Sequence, residues 1–203
     1  MGPRRAPKRP LRTKEAVVES KSEAPSVRQL SSMAQEQFVS ALDGVYEHSP
    51  WVAEAAWHKR PFSDLDHVHR ALAEAVREAG RDKQLALIQA HPELAGKAAI
   101  RGELTPESTR EQSGVGLERC SPEEFQRLTE LNREYGAKFG FPFIIAVRGH
   151  TRDSIIASLA ERLRHAPSEE FDEALRQIDT IALFRLQGRL SESERPSGSA
   201  SQR

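Results

Sequence analysis

Three places in the 203-residue chain carry side chains that could act together in chemistry. His91 opens the segment His91-Pro92-Glu93-Leu94-Ala95-Gly96-Lys97. A residue before proline is pushed out of the α region, so the helical pattern running in from Asp82 can hold His91 only as its last residue. The helix dipole at that end favours a protonated imidazole, and histidine changes charge near neutral pH. His91 could therefore serve as an acid-base group, or merely cap its own helix. Ser108, Glu111 and Gln112 are spaced three and four apart and share one helix face. That face is either solvated or presents a hydroxyl, a carboxylate and an amide to a pocket. Arg185 falls where the period of Phe171, Ala174, Ile178, Ile181 and Ala182 predicts an apolar residue. A guanidinium stays charged and is costly to bury alone, so Arg185 needs an internal carboxylate, a path to water or an anionic ligand. Such acid-base, amide and anion-binding groups suit a small, polar, anionic, nitrogen-rich molecule.

Eight helical segments must position these groups. The first runs from Ser32 with Phe38, Ala41, Leu42 and Val45 inward, and Gly44 weakens its end. The second opens at Pro50, with Trp51, Ala55 and His58 on one side, and stops at Pro61. Asp64 caps the third, whose stripe is Leu65, Val68, Leu72, Ala75 and Val76, and Gly80 stops it. Its His67 and His69 are two apart and face different ways, so they do not share a metal easily. Asp82 caps the fourth helix, Thr105-Pro106-Glu107 starts the fifth, and Ser121-Pro122-Glu123-Glu124 starts the sixth with a capping box. The sixth helix carries Phe125, Leu128, Asn132, Tyr135 and Phe139 on one stripe, where Asn132 bonds either core backbone or a ligand. Two glycines then frame the apolar run Phe141–Val147, expected to be irregular and buried, with backbone groups left over for partners. Thr151 caps the seventh helix and Ser168 the eighth, which ends near Leu190. With no alternating strand pattern, the fold class is all-α, a single domain over 31–190 between a disordered basic tail (1–30) and a disordered C-terminal tail (191–203).

Composition narrows the function. Thirty basic and thirty acidic side chains cancel overall. The first 30 residues hold eight Lys/Arg against three Glu, and the last 13 hold two of each sign, so residues 31–190 are acidic by five charges. That argues against a nucleic-acid partner. The single cysteine, Cys120, excludes an internal disulfide and multi-cysteine zinc sites, and points to a reducing compartment such as the cytoplasm. No apolar run approaches a membrane span.

HPELAGK, Ser108-x-x-Glu111-Gln112 and the LNREYGAKFGFPFIIAVRG run from Leu131 to Gly149 together resemble the OHCU decarboxylase family. SPWVAE at 49–54 and IALFRL at 181–186 also fit, and the similarity covers nearly all of 31–190. The resemblance implies an all-helical homodimer without metal or organic cofactor. Its substrate would be 2-oxo-4-hydroxy-4-carboxy-5-ureidoimidazoline, released as (S)-allantoin in urate breakdown. By motif, His91 matches the family's catalytic histidine and Glu111 its partner carboxylate. Pro92, Ser108, Gln112, Phe143, Ile144, Ile145, Ala146, Val147 and Arg185 match substrate-binding positions. The chain departs from the pattern at Glu93, where Asp is common, and at His150-Thr151, where Arg-Ser is more usual.

Two other readings compete. His91-Pro92-Glu93 fits the H-x-E element of zinc nucleobase deaminases, but the required P-C-x-x-C element is missing. A non-catalytic helical interaction module would explain the helices, yet gives no reason for Arg185 on a core stripe.

Overall fold

The computed structural model describes residues 24–96, 99 and 101–190; of the tails expected over 1–30 and 191–203, residues 1–23 and 191–203 lie outside them. Among the described residues there are nine α-helices, one 3-10 turn and no strand. They are α1 (Val27–Ser32), α2 (Gln35–Ala41), α3 (Pro50–Trp57), α4 (Leu65–Glu78), α5 (Arg81–Gln89), α6 (Pro106–Gly114), α7 (Pro122–Phe139), α8 (Arg152–Arg162) and α9 (Pro167–Arg189). The all-α expectation holds. The longest helix, α9, packs on α4, α5 and α7. Its buried stripe of Phe171, Ala174, Ile178, Ile181, Ala182 and Leu186 follows the expected period, and Arg185 is buried within it.

Several boundaries differ from expectation, each for a local reason. The ordered chain begins before residue 31: Ser26 caps α1 through a capping box, and Val27 and Leu30 are buried. α1 and α2 are separate helices because Met33 between them takes an extended conformation (φ −67°, ψ 145°). The carbonyl of Met33 accepts bonds from the Trp57 indole (3.1 Å) and the Arg60 guanidinium (3.1 Å), so this helix end is held by side chains. On α3 the inward face is Val52, Ala53 and Ala56; Ala55 and His58 are exposed. Contact with both α2 and α4 selects that face over the one carrying Trp51. α5 is capped by Gly80, with Asp82 in its first turn, and ends at Gln89. α9 starts with Pro167 at its first position and Ala166 as cap, two residues earlier than the expected cap Ser168. Phe125, expected on the α7 stripe, is 39% exposed, and Leu131 takes its place in the core.

Phe141–Val147 is irregular and buried, as expected, and a charged cluster holds it there. Glu170 has no exposed surface. Its carboxylate accepts bonds from the Tyr135 hydroxyl, from Arg162 Nε (2.9 Å) and from the His165 ring (2.7 Å). Arg162 also donates to the Ile144 carbonyl oxygen (2.7 Å) and stacks over the Phe143 ring. Gln177 accepts the Ala146 N–H (2.9 Å). Removing the carboxylate would leave the buried Arg162 guanidinium with only a longer carboxylate contact, to Glu173 at 3.9 Å. Glu170→Ala is expected to cost about 3–5 kcal/mol of stability. Urea unfolding checks this, and a loss under about 1 kcal/mol would show that the cluster is dispensable.

Candidate active site

His91 lies just beyond the end of α5, and its backbone N–H still bonds the Ile88 carbonyl (3.2 Å). Its Nδ1 is 2.9 Å from the Leu87 carbonyl oxygen. A carbonyl oxygen only accepts, so Nδ1 carries the proton and Nε2 presents its lone pair. That Nε2 is buried and has no hydrogen-bond partner among the described residues. Burial pushes the imidazole down to about 4; the Leu87 bond and the nearby Glu47 charge pull the other way without prevailing. The helix-dipole argument for a protonated ring is thereby corrected. Desolvation is the largest influence on the ring, which is a neutral base.

Arg185 explains the rest of the cluster. Its Nε (2.7 Å) and Nη2 (2.7 Å) grip both oxygens of Glu111. Nη1 donates to Glu47 (2.8 Å) and to the Gly44 carbonyl (2.9 Å), while Nη2 also reaches the Ser108 hydroxyl (3.3 Å). All five N–H groups are thus occupied. Of the three fates open to a core guanidinium, pairing with an internal carboxylate is the one observed, and it happens twice. Because Arg185 holds both Glu111 oxygens, the expected pairing of Glu111 with His91 is not made in this structure.

Glu47 escaped the sequence reading. It is 1% exposed and accepts bonds from Thr105 (2.7 Å), Ser108 (3.1 Å) and Arg185. Burial alone would raise its carboxyl, but the Thr105 and Arg185 bonds hold it below the usual carboxylate range. The available signal was a lone acid next to the buried pair Val45 and Tyr46, in irregular chain between Gly44 and Pro50.

The segment after His91 is fixed by two amides. Asn132 Nδ2 donates to the Leu94 carbonyl (3.0 Å), the backbone-bonding option for that residue. The Ala95 N–H donates to Gln112 Oε1 (3.0 Å), which leaves the Gln112 amino group as a donor. Around these groups lies a cavity of about 30 Å³ lined by His91, Pro92, Leu94, Ser108, Glu111, Gln112, Phe143, Ile144, Ile145, Val147, Ile181 and Arg185. Of the site residues expected from sequence, only Ala146 is absent from this lining. It borders an open outer cavity of about 650 Å³, which shares Glu111, Val147, Ile181 and Arg185 with the inner one. Among the described residues, no group of three or more His, Cys, Asp or Glu is placed to hold a metal ion.

The helices thus define an all-α enzyme whose buried pocket sets a histidine, unpartnered at Nε2 among the described residues, beside amide and hydroxyl side chains. The OHCU decarboxylase family model matches residues 31–187. The chain is 41% identical over 162 residues to the 2-oxo-4-hydroxy-4-carboxy-5-ureidoimidazoline decarboxylase of Halalkalicoccus jeotgali, covering 80% of this chain and 90% of that protein. It is 40% identical to the enzyme of the same name from Haloferax volcanii, covering 82% and 96%. Among solved structures it is similar to (S)-allantoin synthase, with a TM-score of 0.67 and 31% identity over 81% of this chain. It spans about half of that structure, 54%. It is also similar to an OHCU decarboxylase crystallised in the presence of (S)-allantoin, with a TM-score of 0.58 and 25% identity over 71% of this chain and 93% of the other. The chain belongs to the OHCU decarboxylase family.

The buried ring makes a pH prediction. His91 takes its proton near 6.5 when unfolded but only towards about 4 when folded. Between those values the unfolded state binds the extra proton, so this group's contribution to stability is lost as pH falls from about 6.5 to about 4. An NMR titration of the His91 ring should give a midpoint well below 6.5; a midpoint at or above that value would contradict the buried neutral base.

Proposed function

We propose that this protein decarboxylates 2-oxo-4-hydroxy-4-carboxy-5-ureidoimidazoline to (S)-allantoin in urate breakdown. The observation that carries the reading is His91 Nε2, a buried base without a hydrogen-bond partner among the described residues, on a side chain in the lining of a cavity that ten of the eleven expected site residues border. The substrate supplies its own electron sink, a ring C=N beside the carbon that bears the carboxylate, so the reaction needs no electron-accepting cofactor. The C–CO₂ bond breaks, its electron pair forms a ring C=C, and the former imine nitrogen takes a proton. The 4-hydroxyl then loses its proton as the carbonyl forms, and the neighbouring carbon gains one on a single face.

In this reading His91 Nε2 accepts the hydroxyl proton and a protonated His91 can return one to carbon. A carboxylate entering beside the ring raises its proton affinity and so improves the match to that task. Glu111 keeps 31% of its side-chain surface exposed, whereas Glu47 keeps 1%. Glu111 is therefore the carboxylate that can leave Arg185 and assist His91, while Glu47 remains as the counter-charge. Gln112 offers an amino donor to a urea or ring carbonyl oxygen, and the backbone of Phe143–Val147 borders the ring. The inner cavity holds about one water in its present form, so its lining must part to admit substrate.

The homodimer implied by the family resemblance belongs to the same proposal, and sedimentation would test it. So does a cytoplasmic location. No described helix is long and apolar enough to cross a membrane.

The activity test is stereochemical. The short-lived substrate is generated from urate by the two preceding activities, and circular dichroism follows the allantoin formed. One enantiomer should accumulate rapidly with the native protein, and His91→Ala should lose on the order of 10²–10⁴ in rate with its helicity intact. Racemate appearing at the spontaneous rate would instead favour a non-catalytic helical module.

A further inference from the structure

The acidic character of residues 31–190 poses a problem for an anionic substrate, because net charge alone would repel it. The outer cavity reverses that balance locally. Its lining includes Arg110, Arg148, Arg185 and Arg189 against only Glu107 and Glu111. Both acids are engaged: Glu107 with Arg189 (2.6 Å) and Arg110 (3.1 Å), and Glu111 with Arg185. Arg148 differs from the others. Among the described residues it makes no ion pair; its guanidinium lies 4.0 Å over the centre of the Phe184 ring and bonds only Gln187 Oε1, at 3.4 Å. Stacking holds the fork flat while leaving most of its N–H edges open, the arrangement suited to a planar carboxylate. Arg148 is exposed and directly follows Val147, whose residue borders both cavities. At about 650 Å³ the outer cavity is of ligand-binding size, which the inner one is not.

We propose that Arg148, braced on Phe184, forms a capture site where the substrate's carboxylate is held in the outer cavity before it enters the catalytic one. This rests on the decarboxylase reading above. The site raises the local concentration of the anion and presents it to the Arg185–Glu111 pair, which borders both cavities.

The test compares native protein with Arg148→Gln and Arg148→Lys, first confirming unchanged helicity and thermal midpoint. Arg148→Gln should lower kcat/KM about tenfold through KM, with kcat changed by less than about twofold. It should also flatten the fall of kcat/KM with added salt, while Arg148→Lys keeps the salt slope and recovers part of KM. Inhibition by allantoate, a ureido carboxylate, should weaken in Arg148→Gln, whereas inhibition by (S)-allantoin, which lacks the carboxylate, should not change. Equal KM, salt slope and allantoate inhibition in Arg148→Gln and native protein would overturn the capture site while leaving the decarboxylase reading intact. If the native protein does not accelerate the reaction, that reading falls instead. Calorimetric titration with allantoate then decides the capture site alone: tighter binding by native protein than by Arg148→Gln supports it, and equal binding overturns it.

Discussion

A guanidinium that cannot shed its charge sits in the helical core, and much of the site follows from accommodating it. Arg185 draws Glu47, the Gly44 carbonyl, Ser108 and Glu111 to one point. These groups come from the chain before α3 and from α6, and Arg185 itself from α9, so one side chain fastens segments more than a hundred residues apart in sequence. The bonds also orient Ser108 and bring α6 against α9, which closes one wall of the His91 cavity. Burying an ion pair is seldom a gain in stability by itself. Its value here is registry, because any shift of α6 along α9 would leave a charge unpaired.

A second charged cluster does similar work on the opposite wall. Phe141–Val147 has no helix or sheet to satisfy its backbone, yet it is buried. Arg162 takes the Ile144 carbonyl and Gln177 the Ala146 N–H, so the bend of the segment is set from outside. Glu170 neutralises Arg162 in turn. The irregular stretch is thereby pinned at two backbone groups, while Phe143, Ile144, Ile145 and Val147 border the cavity.

What the sequence made legible were departures from a pattern. Arg185 interrupts an apolar period and so announces a hidden partner. Framing glycines and a proline mark Phe141–Val147 as neither helix nor surface loop. Spacing places Ser108, Glu111 and Gln112 on one face, and Ser108 and Gln112 are indeed buried there. Glu47 was not legible, because irregular chain has no period for an acid to interrupt. Nor was α1, whose six residues are too few to show a stripe and are held by Trp57 and Arg60 from a later part of the chain. The protonation of His91 was misjudged because a dipole can be read from helix direction, whereas desolvation depends on neighbours that only the folded chain supplies.

The bond from the Ala95 N–H to Gln112 Oε1 has a consequence for molecular discrimination. A free glutamine can rotate its amide to greet either a donor or an acceptor. Here the Ala95 N–H settles which way round the amide sits, and the amino group is the end left to donate. In the reading proposed above, a substrate group bearing a lone pair meets that donor, and an isosteric N–H in its place meets another N–H. In a buried site such a mismatch leaves both groups poorly solvated, and rejection of this kind reaches about 10⁴–10⁵ where a bond is lost outright. On the role proposed for Gln112, a backbone amide in the chain after His91 sets which end of a urea that side chain can hold.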